Sequence, residues 1–406
     1  MKDWKKNFLI IWTGQFVSIL SSMIIGFAMI LWLSFETKSA ETLALASVAA
    51  FLPQALIAPF AGVYIDRWDR KKVMIVADMF IAFVTLIMAS LFFFGEAAVW
   101  QIYLLLALRS VGSAFHAPAM SASVPLLAPE AELTRIAGIN QMIQSACSIA
   151  GPAIAALLIT FMDIEIILLF DVFGALVACA SLLFIAIPSP KPKAGEKQDL
   201  WRDMKEGFGE ILSCRGVGWL MLISVLSSVC IFPIAALFPL MTLNYFGGTA
   251  LQMGLIEVVW GAGMLLGGAW LGMNSRPLNK VLFINLMYVV LGLEFAFSGL
   301  LPAGAGGYLF FAILTGIGGL GASVYGACLT ALIQENMAPE KLGRVFSLFI
   351  SASVFPSVAG LLGTGLLADG IGLSATFVLL GCAVCFLGMV SFFIPSVMKL
   401  SKHQRE

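Results

Sequence analysis

The chain has 406 residues, of which 60% are hydrophobic and only 11% are charged, and its mean hydropathy is +1.00. Soluble domains carry about a quarter charged residues, so this composition excludes a soluble globular protein and predicts a chain that lies in a lipid bilayer. The 23 Lys and Arg residues balance the 23 Asp and Glu residues, which excludes an electrostatic nucleic-acid partner.

Apolar segments long enough to cross a bilayer, about 20 residues each, follow one another along the whole chain. We predict twelve transmembrane helices, over residues 8–34, 43–65, 72–94, 99–127, 135–161, 163–187, 217–242, 250–273, 279–301, 306–333, 344–368 and 373–395. The first segment is too long for the core of a signal peptide, so we expect it to be retained as span 1. The predicted fold class is an all-α polytopic membrane protein.

The basic residues of this twelve-span chain are distributed very unequally between its two sides. Of the 23 Lys and Arg residues, 21 lie on the side that carries both termini, Lys38 lies on the other side, and Arg109 lies inside span 4. Positively charged loops stay in the cytoplasm. We therefore predict that both termini are cytoplasmic.

A polar stretch over residues 188–216 divides the chain into an N-terminal six-helix half, 1–187, and a C-terminal six-helix half, 217–406. The stretch begins as a Pro- and Lys-rich linker, and from Leu200 its apolar residues recur with the period of an amphipathic helix. Such a helix could lie on the inner membrane surface or pack on cytoplasmic loops. The pattern fits both interpretations equally.

The two halves also resemble each other in sequence. Residues 129–135 read PEAELTR before span 5, and residues 339–344 read PEKLGR before span 11; in both, the final Arg is followed sixteen residues later by a glycine. Two related sets of six spans are typical of secondary transporters, whose substrate site lies near the midplane between the halves. This repeat predicts two pseudo-symmetric halves.

Several kinds of chemistry are missing from the sequence. It contains no G-x-x-x-x-G-K-[ST] phosphate-binding loop, and its only histidines are His116 and His403, which excludes a multi-histidine metal centre. We expect no cofactor, no metal site and no catalytic residues. Gradient-driven transport is the favoured class, and a non-transporting membrane receptor or an intramembrane enzyme is the alternative.

The loop between spans 2 and 3 reads GVYIDRWDRKK over residues 62–72. It resembles the loop motif of the major facilitator superfamily, G-x-x-x-D-R-x-G-R-R/K, with Asp69 in place of the second glycine. Glycine permits helices to approach closely, an aspartate can accept hydrogen bonds from a helix N-terminus, and arginines can pair with carboxylates. The resemblance implies the major facilitator fold and a cytoplasmic latch formed by Gly62, Asp66, Arg67 and Arg70.

Other segments resemble the same superfamily. Arg109 to Gly112 in span 4 is similar to its embedded arginine motif, and Gly151-Pro152 in span 5 is similar to the centre of the motif of proton-coupled exporters. Pro152 can also simply bend a helix.

Local sequence from WTGQ at residues 12–15 to LGRVFSL at residues 342–348 looks like the macrolide-efflux branch. The resemblance covers about residues 5 to 395. It implies a proton-coupled antiporter that exports macrolide-like or other lipophilic compounds across a bacterial cytoplasmic membrane, with the bilayer and protons as partners and a monomer as the working unit. The remaining transport alternative is an importer, or an exporter of a non-drug metabolite.

Proton coupling needs groups that titrate or pair within the membrane, where charges are costly. Arg109 and Asp171 lie at matched depth and could pair. Glu257 lies on a helix face with several glycines, so we expect it to point toward protein or cavity and to carry the proton. Glu294 lies at a depth that water could reach from outside, and Asp78 is expected to be a structural partner of the Arg67 and Arg70 loop.

The cavity is expected to be apolar with a few polar groups. On the spans that line it in this superfamily, the candidates are Gln15, Met23, Phe115, His116, Phe232 and Tyr325. For the aromatic and Met residues, helix packing or lipid contact is the commoner role. His116 could instead satisfy a backbone carbonyl that is freed by Pro118.

Overall fold

The structure is a computed structural model that describes residues 4–37, 40–185, 187, 200–273 and 278–403. Fourteen α-helices occupy the described residues: α1 (Trp4–Thr37), α2 (Ala40–Arg67), α3 (Arg70–Phe93), α4 (Val99–Leu127), α5 (Leu133–Leu158), α6 (Ile164–Leu183), α7 (Leu200–Ser213), α8 (Arg215–Leu240), α9 (Ala250–Met273), α10 (Lys280–Leu300), α11 (Ala305–Asn336), α12 (Leu342–Ile371), α13 (Leu373–Phe392) and α14 (Pro395–His403). Each of the twelve predicted segments coincides with one of these helices, which confirms the all-α fold class.

Two helices lie outside the twelve predicted apolar segments. The helix α7 begins at Leu200, where the amphipathic pattern begins, and α14 follows the last apolar segment. The Pro- and Lys-rich part of the predicted linker, residues 188–199, lies outside the described residues, as does Lys38.

Ten of the described helices are long and apolar enough to cross a membrane, judged by length and composition. They are α1, α2, α3, α5, α6, α8, α9, α10, α11 and α13. The helices α4 and α12, with 29 and 30 residues, are long enough to span the bilayer core, and Arg109, His116 and several serines make α4 more polar than its neighbours. The count of twelve spans therefore stays a prediction.

The chain divides into two compact units. The first contains Met1–Pro129, Ala150–Glu210 and Met337–Ser351, and the second contains Glu130–Ile149, Ile211–Asn336 and Ala352–Glu406. The first ten residues of α12 therefore pack within the first unit, and the beginning of α5 packs within the second. The division into halves at residues 188–216 stays a prediction.

The core of the first unit is built from α1, α3, α4 and α6, which supply buried aliphatic side chains such as Ile25, Met29, Met88, Ile102 and Ile167. In a bilayer, lipid tails are as apolar as these side chains, so close packing and polar contacts between helices stabilise the fold. In the second unit, glycines allow such close packing between helices. A Cβ atom at Gly267 of α9 would lie 2.7 Å from the carbonyl oxygen of Leu320 in α11.

Candidate functional site

Asp66, at the end of α2, binds the beginning of α12. Its Oδ1 accepts a hydrogen bond from the backbone N–H of Gly343 (2.7 Å), and its Oδ2 accepts from the backbone N–H of Arg344 (3.1 Å) and from Arg344 Nε (2.9 Å). Asp66 is buried, and the partial positive charge of a helix N-terminus stabilises a carboxylate there. The structure thus gives Asp66 the helix-terminal partner that was expected from the sequence.

Gly62 and Arg70 complete this contact. A Cβ atom at Gly62 would lie 2.7 Å from the carbonyl oxygen of Gly343 and 2.7 Å from Ser347 Cβ, so only glycine allows α2 and α12 to approach this closely. Arg70 is fully buried, lies 3.7 Å from Asp66 Oδ1 and donates hydrogen bonds to the carbonyl oxygens of Ala122 and Pro339. Arg70 therefore joins α3 to α4 and to the turn that precedes α12.

Asp69 occupies the position where the superfamily motif has glycine. It is the N-cap residue of α3, with φ of −63°, and its side chain accepts a hydrogen bond from the backbone N–H of Lys72 at 3.1 Å. The turn therefore does not need a positive φ, and Asp69 is a favourable N-cap residue.

The linker helix α7 also contacts the beginning of α12. Lys341 Nζ lies 2.6 Å from Glu210 Oε2, Arg344 Nη1 lies 3.5 Å from Glu206 Oε2, and Gly207 packs against the Arg344 side chain. Of the two interpretations left open by the sequence, these contacts favour packing on other segments of the chain over lying on the membrane surface. Arg344 is consequently shared between Asp66 of α2 and Glu206 of α7.

Arg109 of α4 and Asp171 of α6 form an ion pair within the first unit, which their matched depth in the sequence made possible. Asp171 also accepts hydrogen bonds from Ser22 Oγ (2.7 Å) and Thr85 Oγ1 (2.9 Å), so its carboxylate links α1, α3, α4 and α6. Because the charge is balanced and both oxygens are bonded, the pair is suited to holding these helices together.

Asp78 pairs with His116, which the sequence analysis did not predict. The distance from His116 Nε2 to Asp78 Oδ1 is 3.3 Å, and both side chains are largely buried between α3 and α4. The expectation that Asp78 supports Arg70 was wrong, because Arg70 is held by Asp66 and by backbone carbonyls instead. The sequence does contain a signal for this pair: span 3 has one acidic residue, Asp78, and span 4 has one histidine, His116.

Glu257 of α9 is exposed. Farther along the same helix face, a Cβ atom at Gly268 would lie 2.8 Å from the carbonyl oxygen of Gly138, and one at Gly272 would lie 3.1 Å from Ile139 Cγ1, so this part of the face packs on α5. At Gly254, one turn before Glu257, no atom lies within 4 Å of such a Cβ position. The glycine face is therefore covered at one end and open at the end that carries Glu257.

Glu294 of α10 is not accessible to water, contrary to the expectation from its depth. Its side chain is 2% exposed, Ser298 Oγ donates to its Oε1 at 3.4 Å, and its Oε2 has no hydrogen-bond partner among the described residues. A Cβ atom at Gly318 of α11 would lie 2.9 Å from Oε2. The depth of Glu294 along its helix does not indicate which neighbouring helix the side chain faces. It faces α11, where Gly318 leaves room for the carboxylate.

The predicted cavity residues lie in different environments. Gln15 is buried, and neither polar atom of its side-chain amide has a partner in the described part of the chain. Met23 packs against Gly151, where a Cβ atom would lie 2.7 Å from Met23 Cβ. Met23 therefore has a role in helix packing rather than in substrate contact. Pro152 follows Gly151 within α5. Phe232 is exposed on α8.

The two other aromatic candidates have neighbours within their own units. The Tyr325 ring lies 4.7 Å from the Tyr288 ring, measured between centroids, and Phe115 lines a groove between α3 and α4 together with Arg67.

Comparison with known proteins identifies the family. Residues 11–313 match the sequence model of the Major Facilitator Superfamily. The chain is 38% identical over 403 residues to "Macrolide efflux protein A" of Streptococcus pyogenes, covering 98% of both chains, and 25% identical over 388 residues to "Multidrug efflux pump Tap" of Mycolicibacterium fortuitum, covering 91% of both. A crystal structure of a bacterial homologue of the iron transporter ferroportin matches with a TM-score of 0.77 at 14% identity, over 95% of this chain and 99% of that one, and supports the fold alone. The chain therefore belongs to the major facilitator superfamily and, within it, to the macrolide-efflux branch.

Proposed function

We propose that this membrane transporter is a secondary active exporter of macrolide-like or other lipophilic drugs, driven by proton antiport. The observation that carries the proposal is the match to a macrolide efflux protein along almost the whole length of both chains. Membership of the superfamily favours a transporter over an enzyme. The transporter acts as a monomer in the bacterial cytoplasmic membrane, with both termini in the cytoplasm.

In this proposal Glu257 carries the proton. A coupling carboxyl group must gain and lose its proton during the cycle, so it has to be reached by water. Glu257 is the exposed carboxylate on its helix face, whereas Asp171 is bound by Arg109, Ser22 and Thr85 and Glu294 is buried. Arg109 and Asp171 therefore act as a structural pair, and Glu294 ranks behind Glu257.

The contact of Gly62, Asp66 and Arg70 with the beginning of α12 acts as the cytoplasmic latch. Three hydrogen bonds from α12 end on one buried carboxylate, so the contact is either formed or broken as a unit when α12 moves. We propose that it is formed when the cytoplasmic side of the transporter is closed and broken when that side opens. Arg67 lies at the edge of the latch and contributes positive charge there.

The test is the accumulation of radiolabelled erythromycin in bacterial cells that lack their own drug pumps. Cells that produce this protein should accumulate several-fold less drug than cells that produce its Glu257→Gln variant, and an uncoupler should abolish the difference. Binding of erythromycin to the purified variant should be retained, because Glu257 is not among the residues expected to contact the drug. Higher accumulation in producing cells would indicate an importer, and a difference that survives the uncoupler would refute proton coupling.

A further inference from the structure

A groove of about 620 Å³ runs along the surface of the first unit between α3 and α4. Its walls are apolar and include Val76 and Phe80 of α3 and Phe115 of α4, and Val76 and Phe80 are exposed. Its volume lies in the range of small-molecule sites. An exposed apolar groove on a membrane helix pair is suited to holding a hydrocarbon chain.

One end of the groove is cationic. Arg67 and Lys72 line this end together with Trp68, which is 48% exposed. The carboxylate of Asp69 is also in the lining. Two cations and one anion thus meet at this end of the groove, which leaves it with a net positive charge.

The groove is long enough to hold part of an acyl chain. The distance along α3 from Lys72 to Phe80 is eight residues, or about 12 Å. A ligand that fits therefore carries its negative charge at one end and an apolar chain of at least this length. Trp68 stands beside the cations, as is typical of tryptophan at the level of lipid head groups.

We propose that this groove binds an anionic phospholipid of the phosphatidylglycerol type, with its phosphate at Arg67 and Lys72 and one acyl chain along Val76, Phe80 and Phe115. The orientation proposed above, with both termini in the cytoplasm, would place this lipid in the inner leaflet. The groove and its charge do not depend on that orientation. The groove begins at Arg67, one residue after Asp66, so the bound lipid lies beside the latch. A lipophilic amine drug fits less well, because it would bring positive charge to Arg67 and Lys72.

The experiment uses the purified full chain in phosphatidylcholine vesicles that contain increasing amounts of brominated lipid, since bromine on an acyl chain quenches nearby tryptophan fluorescence. The Trp68 signal is the difference between the unmodified chain and its Trp68→Phe variant. We expect brominated phosphatidylglycerol to quench this signal at a mole fraction about fivefold lower than brominated phosphatidylcholine, which is the factor expected for the one net positive charge that Arg67 and Lys72 supply once Asp69 is counted.

Two matched variants test the role of charge. Lys72→Gln should remove the preference for phosphatidylglycerol. Lys71→Gln removes the same charge one residue away, where Nζ donates to the carbonyl oxygens of Leu183 and Ile185 outside the groove, and it should keep the preference. Because the readout is lipid contact and not drug transport, the result does not depend on the proposed export.

Four outcomes would overturn the proposal. The first is equal quenching by the two lipids in the unmodified chain, and the second is an equal loss of preference in both lysine variants, which would indicate general surface charge. The third is stronger quenching by brominated phosphatidylethanolamine than by phosphatidylglycerol, which would assign the groove to a zwitterionic lipid. Displacement of the brominated lipid by erythromycin would assign it to the drug.

Discussion

The Asp66→Asn variant tests the latch most directly. The substitution keeps the size of the side chain but replaces one carboxylate oxygen by an NH₂ group. If Asn keeps its oxygen toward Gly343, the NH₂ group meets the N–H of Arg344 and Arg344 Nε, which now have no acceptor on Asp66. Two hydrogen bonds to a charged group are lost.

The magnitude follows from these two bonds. Hydrogen bonds to charged groups contribute about 1.5 to 3 kcal/mol each, so the contact should lose about 3 kcal/mol, even if Glu206 partly compensates at Arg344. That difference corresponds to about a 150-fold shift in the equilibrium between the formed and the broken contact. Efflux should fall strongly while the protein still inserts into the membrane.

The assay measures how often the contact opens. Ser347 is fully buried against Gly62, so a cysteine introduced by Ser347→Cys should react with a maleimide only when α2 and α12 separate. We expect at least a tenfold faster reaction when Asp66→Asn is added, measured on the peptide by mass spectrometry.

Asp69→Asn is the matched control for the latch. It removes a negative charge three residues away, and Asn is also a good N-cap residue. Its cysteine reaction should keep the rate of the parent protein. Unchanged labelling together with unchanged efflux in Asp66→Asn would refute the assignment of the latch.

Three other predictions, one of them with a control variant, test the remaining parts of the proposal. Gly151→Leu should abolish efflux at normal expression, since a side chain there meets Met23 Cβ; Gly306→Leu, where no atom lies within 4 Å of a Cβ position, should stay active in the same drug-susceptibility assay. Glu257→Gln in liposomes should bind drug but not accumulate it against a gradient when a pH difference is imposed, and accumulation at the unmodified rate would remove Glu257 from the mechanism. Asp171→Asn leaves Arg109 without its counter-ion, which should cost about 3 to 5 kcal/mol of stability and lower the melting temperature in detergent; an unchanged melting temperature would argue against a structural pair.

The sequence predicted the helices well because each apolar segment carries its own signal. The bounds 99–127 and 250–273 were predicted as the structure has them, and the amphipathic period located α7 from Leu200. These features depend on neighbouring residues, so they need no knowledge of the fold.

The partners of the polar residues were harder to predict because they are distant in the chain. Asp66 and Gly343 are 277 positions apart, and only the motif indicated that a helix N-terminus would be involved. The pairing of Asp78 with His116 and the burial of Glu294 depend on which helices are neighbours and how each is rotated. A single sequence carries no direct record of either property.

The double use of Arg344 has a mechanical consequence. One guanidinium group holds a membrane helix through Asp66 and the linker helix through Glu206, while Lys341 on the preceding turn holds Glu210. If the beginning of α12 moves, α7 must either travel with it or give up both ion pairs. In the proposed cycle the linker is thus attached to the part that moves. The length of the linker then limits how far the beginning of α12 can travel before those ion pairs break.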